Sequence, residues 1–180
     1  VFVKMATGVG AGLFQNGNVM LGDIGYAGEL GHVPISKDGL CRCGMTGCLE
    51  AHIGLPHLNE RVQTYIDGTE HTLLSWLKEE VSNAQIVLQE TAQSLSVALS
   101  ILVNLLNPHK IVLWGPIPQQ VPKFLELLRA SMSSRDMWSP ILSECIEVSA
   151  LGEQAVARGA ATLLLEEAFS NPLLFAEMQV

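Results

Sequence analysis

GELGHVPISKDGLCRCGMTGCLEAH, residues 28–52, places three of the four cysteines of this chain within eight positions. The three follow the spacing Cys41-x-Cys43-x4-Cys48, and eight residues separate His32 from the first of them. A disulfide joins two suitably oriented cysteines, so three clustered thiols cannot all pair with one another. Three thiolates and one imidazole instead form the closed tetrahedral set that is typical of structural zinc. The spacing therefore predicts a Zn²⁺ site with these four residues as ligands.

Alternatives to this metal site remain open at the level of spacing. His52 is also close enough in sequence to be the fourth ligand, and the thiols could stay free or form a transient disulfide. No Cys-x-x-Cys redox motif is present in the sequence. Zinc binding contributes about 10–16 kcal/mol in small zinc peptides, whereas a disulfide contributes about 2–4 kcal/mol. A metal is therefore the favoured way to order this loop, and reduced cysteines are expected in the cytoplasm.

The composition is that of an ordinary globular domain. The 180 residues are 48% hydrophobic and 16% charged, and the formal net charge is −8. An acidic chain is not expected to bind nucleic acid or an anionic membrane by itself, because phosphate binding needs clustered Lys and Arg. No run of 18 or more apolar residues predicts a membrane span. The opening VFVKMATGVG lacks an initiator Met and a signal-peptide pattern, so we expect the interior of a longer protein.

The first fifty residues predict strands followed by irregular chain. VFVKM (1–5), AGLFQ (11–15) and NVML (18–21) are rich in strand-forming residues and predict a β-meander or a pair of hairpins. Asn16-Gly17 supplies the positive φ angles of a tight hairpin turn. The Gly-, Cys- and Pro-rich stretch 22–54 is expected to be irregular.

The remainder of the sequence predicts helices that alternate with strands. Apolar residues recur at three- and four-residue steps from Leu73 to Leu106, and Asn107-Pro108 ends that helix. Further elements are expected at 110–114 (strand), 119–133 (helix), 145–150 (strand) and 154–169 (helix). Strands joined by crossover helices favour a mostly parallel sheet. The predicted fold is therefore α/β, a β-meander followed by αβαβα.

The motif around the cysteines resembles a known family. Glu29-x-Gly31-His32, followed by Cys41-x-Cys43-Gly44-x-x-Gly47-Cys48-x-Glu50, is similar to the signature of the ROK proteins, which comprise repressors, sugar kinases and related open reading frames. The segments 6–12, 111–116 and 158–174 resemble the phosphate loop, the adenosine segment and the last helix of that family. The resemblance implies that residues 1–180 form a single C-terminal lobe of an actin-like, ribonuclease-H-like fold, with a zinc loop inserted at about 28–52.

The resemblance also implies which residues read a ligand. Glu29, His32 and Glu50 match the positions that hydrogen-bond sugar hydroxyls in the family, and the family pattern prefers His32 over His52 as the zinc ligand. Carboxylates accept strong, charge-assisted bonds from hydroxyls. His32 would bind the metal through one ring nitrogen and present the other to the sugar.

A glycine-rich hairpin forms the second candidate site. Thr7, Gly8, Gly10 and Gly12 are the positions that match the family's phosphate loop. Backbone N–H groups in such a loop can approach phosphates closely. A tight β-turn without a ligand explains the same glycines equally well.

The choice between regulator and kinase depends on departures from the family pattern. The catalytic Asp of the kinases precedes residue 1, so this chain alone carries no expected catalytic residue. Trp114-Gly115-Pro116 stands where the kinases have a Gly-Gly pair, Ala6 replaces a Gly, and the tail 166–174 resembles the regulators. A zinc-stabilised interaction module without a small ligand would leave the two glutamates unexplained.

The resemblance therefore favours a regulator. The expected function is the effector-binding half of a ROK-type transcriptional regulator of carbohydrate metabolism, with a sugar or sugar phosphate as ligand. An N-terminal lobe and a helix-turn-helix domain would precede this chain, the latter carrying the DNA contact. A cytoplasmic homo-oligomer without membrane contact is expected. The alternative is the C-terminal half of a glucokinase-like ROK sugar kinase that uses ATP and Mg²⁺.

Overall fold

A four-stranded sheet forms the centre of the fold in the computed structural model, which describes residues 1–65, 71–134 and 144–170. The strands lie in the order β2 (Val9–Gly12), β1 (Phe2–Met5), β5 (Ile111–Trp114), β6 (Ile146–Val148). β1 pairs with β2 in antiparallel fashion, whereas β1, β5 and β6 are parallel to one another. The predicted strands at 110–114 and 145–150 and the mostly parallel α/β sheet are thus confirmed.

Of the two expected arrangements, the structure has the pair of hairpins, β1–β2 and β3–β4. β3 (Phe14–Gln15) and β4 (Asn18–Val19) form a separate two-stranded sheet rather than extending the first one. Asn16 and Gly17 join them with φ angles of 52° and 82°, as predicted for the tight turn. The single strand expected at 11–15 was wrong. β2 ends at Gly12. One residue before this end, the N–H of Ala11 donates to the carbonyl oxygen of Gly28, which lies outside the sheet.

The long helix expected from Leu73 to Leu106 is two helices. α3 (Leu73–Lys78) begins after the capping box of Thr72 and ends before Glu80, which has a φ of 56°. α4 (Ser82–Leu106) then begins after an extended Val81. Its end was predicted correctly, since Asn107 adopts the left-handed conformation common after a helix C-terminus.

The expectation of irregular structure over 22–54 was wrong in part. Leu30–His32 forms a 3₁₀ turn, and α1 (Leu49–Ile53) begins directly after the last cysteine of the cluster. α2 (Leu55–Tyr65) follows it and was not predicted, although its buried Leu58 and Val62 lie at helical spacing.

Proline divides the next expected helix. The helix expected at about 119–133 begins later, as α6 (Pro122–Ser133), and a short α5 (Pro116–Gln120) precedes it. Val121 between them has φ −124° and ψ 86°, outside the helical region, because a proline disfavours helical geometry in the residue before it. The last helix, α7 (Ala155–Ser170), follows a 3₁₀ turn and agrees with the prediction for 154–169.

α4 is the central helix of the core. By length and composition it is apolar enough to cross a membrane, but 56% of its most apolar window is buried inside the protein. α4 is therefore apolar because it packs in the core of the protein. Its buried residues are Ala84, Val87, Leu88, Thr91, Ala92, Leu95, Ser96, Ala98, Leu99, Leu102 and Val103.

Contacts along the chain group into two units, Val1–Val148 and Ser149–Val180. The first contains the sheet, α1 to α6 and the cysteine cluster. The second contains α7, of whose described residues Ala155 is the buried one. That residues 1–180 act as one lobe stays a prediction.

Candidate metal centre and ligand site

Two glycines fix the turn that carries Glu29 and His32 against the sheet. The Ala11 N–H of β2 donates to the carbonyl oxygen of Gly28 over 2.7 Å. A Cβ atom on Gly28 or on Gly31 would collide with a carbonyl oxygen of β2. Only glycine permits this approach of two backbones. Packing against β2 therefore requires glycine at positions 28 and 31. This close packing places the neighbouring side chains of Glu29 and His32 beside β2.

The structure brings the four predicted metal ligands together. The Nδ1 atom of His32 lies 3.7 Å from the Sγ atom of Cys41, and the Sγ atoms of Cys43 and Cys48 also lie 3.7 Å apart. All four donor atoms are within 4.8 Å of one another. Two thiolates on one zinc ion, each at about 2.3 Å in tetrahedral geometry, are about 3.8 Å apart, whereas disulfide sulfurs are about 2.05 Å apart. The donor set could therefore hold a metal ion such as Zn²⁺ and is not a disulfide.

The rival ligand His52 and the fourth cysteine both lie elsewhere. The Nε2 atom of His52 is 2.9 Å from the carbonyl oxygen of Asp38, and His52 is not among the clustered donors in the described residues. Cys145 precedes β6 and packs against the hydrophobic core. The geometry therefore favours His32 over His52, as the family pattern does.

The protonation of the thiols also fits a cation site. The Met45 backbone N–H lowers the pKa of the Cys43 thiol, and the side chain of Cys41 adds to this effect. Burial, and to a smaller extent the neighbouring thiols of Cys43 and Cys41, raise the pKa of Cys48 to about 12. A buried thiol of this kind loses its proton when a cation compensates the negative charge.

Glu50 lies in the first turn of α1 with both carboxylate oxygens engaged. Its Oε2 atom accepts from the Val9 N–H over 2.8 Å, and its Oε1 atom accepts from Nη2 of Arg42 over 3.1 Å. The Glu50 side chain is 9% exposed. Burial acts to raise its pKa, but the Val9 N–H and the Arg42 guanidinium outweigh burial, so the pKa of Glu50 lies below its usual value. The carboxylate is therefore ionised and held on two sides.

Glu29 and His32 form the more exposed part of the site. The Oε2 atom of Glu29 lies 3.8 Å from Nε2 of His32, and these side chains are 56% and 39% exposed. Nδ1 of His32 faces the thiols, so its two ring nitrogens point to different partners. His32 also exerts an electrostatic effect on Glu50. The three residues predicted to read a sugar are thus arranged around the cluster of His32 and the three cysteines.

A groove of about 400 Å³ borders Glu29. Apolar side chains of Tyr26 and of the last two turns of α4, including Leu102 and Leu105, line it together with Glu29. The groove gives this end of the site an apolar wall.

The predicted phosphate loop is only partly a loop. Thr7 and Gly8 form the turn between β1 and β2, whereas Gly10 and Gly12 lie within β2 and pair with β1. A Cβ atom on Gly8 would lie 3.2 Å from Oε2 of Glu50, so the turn contacts the candidate sugar-reading carboxylate. The phosphate role of these four residues stays a prediction.

The segment predicted to approach adenosine begins a short helix. β5 ends at Trp114, and Pro116 occupies the first turn of α5. Proline carries no backbone N–H, so this helix start has one hydrogen-bond donor fewer than usual.

Arg42 is the residue of the site that the sequence did not reveal. It stands between Cys41 and Cys43 and reaches the carboxylate of Glu50. The available signal was a basic residue inside a cluster of metal ligands, eight positions before an acidic one.

Curated relatives include repressors and a kinase. The chain is 27% identical over 188 residues to the xylose repressor of Caldicellulosiruptor bescii, covering 96% of this chain and 47% of that protein. It is 27% identical over 191 residues to the transcriptional dual regulator NagC of Escherichia coli, covering 95% and 47%. A glucokinase of Halalkalibacterium halodurans is 34% identical over 136 residues, covering 65% and 41%. The chain thus spans about half the length of the curated relatives that it matches.

Solved structures of both classes share the fold. A ROK glucokinase from Streptomyces griseus, in complex with glucose and AMPPNP, superposes with a TM-score of 0.75 at 22% identity, covering 90% of this chain and 59% of that one. A ROK transcriptional regulator homologous to the Escherichia coli MLC protein superposes with a TM-score of 0.69 at 24% identity, covering 82% and 40%.

These likenesses agree with the motif and with the mixed α/β architecture. The sequence pattern of the ROK family matches residues 1–167, which is nearly the whole chain and includes the complete cysteine cluster. The chain therefore belongs to the ROK family.

Proposed function

We propose that this chain is the effector-binding half of a ROK-type transcriptional regulator of carbohydrate metabolism, and that its ligand is a sugar or sugar phosphate. The observation that carries the proposal is the arrangement of Glu29, His32 and Glu50 around one Cys₃His cluster. Two carboxylates and an imidazole can accept and donate hydrogen bonds to neighbouring hydroxyls. Sugars are the small molecules richest in such hydroxyls.

The proposed cofactor is a structural Zn²⁺ ion held by His32, Cys41, Cys43 and Cys48. Four protein ligands close a tetrahedral site and leave no position for a substrate, so the ion would supply loop order rather than catalysis. Coordination through Nδ1 would fix the ring of His32 and leave Nε2 for Glu29 or for a ligand hydroxyl. The metal would thereby keep one wall of the sugar site in place.

Two observations support a regulator rather than a kinase. Trp114 and Pro116 stand on either side of Gly115, where bulk and a missing donor disfavour close docking of a purine. The xylose repressor and NagC match 95–96% of this chain. In the proposed mechanism, a sugar binds one conformation of a cytoplasmic homo-oligomer better than another and so shifts its DNA-binding state. DNA contact is assigned to an N-terminal domain outside this acidic chain.

The second candidate is the C-terminal half of an ATP- and Mg²⁺-dependent sugar kinase. The glucokinase of Halalkalibacterium halodurans favours it, because its 34% identity exceeds the 27% of the two repressors. The contact between the Thr7-Gly8 turn and Glu50 would also suit a site in which a phosphate donor meets a sugar.

One experiment separates the two candidates. The full-length zinc-loaded protein is titrated with D-xylose, N-acetyl-D-glucosamine and D-glucose, and with the 6-phosphates of the two hexoses, while operator binding and ATP consumption are followed in parallel. We expect one of these sugars to change the affinity for DNA without consumption of ATP. Sugar-dependent ATP turnover at about 1–100 s⁻¹, an ordinary kinase rate, would replace the regulator by the kinase.

A further inference from the structure

We propose that Arg42 orients the carboxylate of Glu50 and, together with it, binds adjacent hydroxyl groups of the ligand. The inference deepens the proposed function and rests on it, since it concerns how the same site recognises a sugar. Among the residues that the structure describes, the guanidinium of Arg42 pairs with Glu50.

Two donors from different elements determine the orientation of the Glu50 carboxylate. The Val9 N–H at the start of β2 donates to Oε2. Nη2 of Arg42 donates to Oε1 from the metal loop, the segment 41–48 that carries the three cysteines. A carboxylate with one donor can rotate about that bond, whereas two donors at opposite oxygens leave it a single orientation. Preorganisation of this kind strengthens ligand binding, because the side chain loses little further freedom.

The remaining hydrogen-bonding capacity of the pair suits a diol. A carboxylate offers about four acceptor positions and a guanidinium about five N–H donors. The contact between Arg42 and Glu50 leaves most of these positions open to a ligand. The Arg42 side chain is 62% exposed and that of Glu50 is 9% exposed, so a ligand meets the guanidinium first and reaches only the exposed edge of the carboxylate. One hydroxyl can then donate to Glu50 while its neighbour accepts from Arg42. Adjacent hydroxyls of a pyranose have the required spacing.

The turn at Gly8 lies close to this ion pair. A Cβ atom there would lie 3.2 Å from Oε2 of Glu50 and 4.0 Å from Nη2 of Arg42. A side chain at Gly8 would therefore press against Oε2 of Glu50, so glycine at this position spares the ion pair a further contact from the turn.

The position of Arg42 also connects the ligand site with the metal. Cys41 and Cys43 flank it, so coordination of the two cysteines would fix the backbone from which the guanidinium extends. Loss of the metal would free that backbone and with it one of the two donors to Glu50. We therefore expect zinc removal and loss of the Arg42 side chain to affect the same ligand contact.

The test uses Arg42→Met, Arg42→Lys and a matched control, Lys110→Met, in the full-length zinc-loaded protein. Lys110→Met removes another exposed ion pair, the 3.1 Å contact with Glu147 between β5 and β6. Zinc content and thermal stability are measured first. Affinity is then measured by calorimetry for the sugar that the wild type binds among D-xylose, N-acetyl-D-glucosamine and D-glucose, and for its monodeoxy analogues.

We expect Arg42→Met to weaken sugar binding about 10- to 100-fold, the effect of one charge-assisted hydrogen bond, and Arg42→Lys to recover part of this loss. Zinc content and thermal stability should match those of Lys110→Met. One monodeoxy analogue, which lacks the hydroxyl read by the pair, should bind the wild type and Arg42→Met equally.

Three results would overturn the inference. Equal sugar affinity of Arg42→Met and the wild type would remove the positioning role while leaving the proposed function intact. A loss that disappears at saturating zinc would reduce Arg42 to a structural residue of the metal loop. A wild type that binds none of the sugars would refute the proposed function, and the inference with it.

Discussion

Replacement of Glu50 distinguishes a carboxylate that holds the site together from one that only faces a ligand. Glu50 accepts from both the Val9 N–H and Arg42. A glutamine at this position has one oxygen and one NH₂ group, so it can accept from only one of the two donors. With its oxygen towards Val9 it loses the ion pair with the exposed Arg42, a change of about 0–1 kcal/mol. The reverse orientation leaves the Val9 N–H unsatisfied, at a cost of about 1–3 kcal/mol.

The first orientation is the cheaper one, so we expect Glu50→Gln to lower the free energy of unfolding by about 1 kcal/mol. Glu50→Ala loses both acceptor atoms and should cost about 2–4 kcal/mol. Glu29 is the matched control, because its side chain is 56% exposed. Glu29→Gln and Glu29→Ala should each change stability by less than about 0.5 kcal/mol. Denaturant unfolding of the zinc-loaded protein measures all four, and a Glu50→Ala variant as stable as Glu29→Ala would refute the reasoning.

The pH dependence gives the same prediction a second test. The pKa of Glu50 is lowered in the folded state, where the two donors outweigh burial. A carboxylate of this kind stabilises the fold above its unfolded-state pKa of about 4.3, and this contribution is lost as the pH falls through the lower folded-state pKa. The stability difference between wild type and Glu50→Gln should therefore be constant near neutrality and shrink in acid. Zinc release in acid affects both proteins, so only the difference is diagnostic, and a difference that grows in acid contradicts the assignment.

Three further predictions concern the loop and the core. Gly31→Ala forces a methyl group onto the Val9 carbonyl oxygen and should destabilise the protein by about 1–3 kcal/mol; unchanged denaturant midpoints would contradict that packing. His32→Ala should reduce bound zinc well below one ion per chain, whereas His52→Ala should retain it; atomic absorption of both variants decides between the two histidines, and the opposite pattern would restore His52 as the ligand. Leu99→Ala should cost about 2–5 kcal/mol by calorimetry, because Leu99 is fully buried; a negligible loss would show that α4 is not the core helix.

The cysteine cluster could be predicted because its information is local. The four donors lie within 17 residues, and their types and spacing restrict the chemistry to few alternatives. Spacing could not decide between His32 and His52, because both are near enough in sequence. The fold separates them by binding His52 to the Asp38 carbonyl and by turning His32 towards the thiols.

The contacts of Glu50 could not be predicted, because they depend on distant parts of the chain. Val9 and Glu50 are 41 residues apart in sequence and meet only when the β1–β2 turn packs against α1. The division between α3 and α4 is a similar case. No glycine or proline stands between Lys78 and Ser82 to signal it, and the break depends on the positive φ of Glu80. The tertiary packing therefore overrides the local helical pattern at this position.

The glycines of the first motif connect the metal loop with the sheet. β2 is an edge strand, and the Ala11 N–H on its outer side bonds to Gly28 rather than to another strand. Glu50 contacts the same edge by accepting from the Val9 N–H. It contacts the metal loop by accepting from Arg42. A ligand that binds Glu50 would therefore act on the sheet edge, α1 and the metal loop together. Under the proposed function, such a junction is where binding of a small sugar could favour one of two conformations, since it links three elements through one side chain.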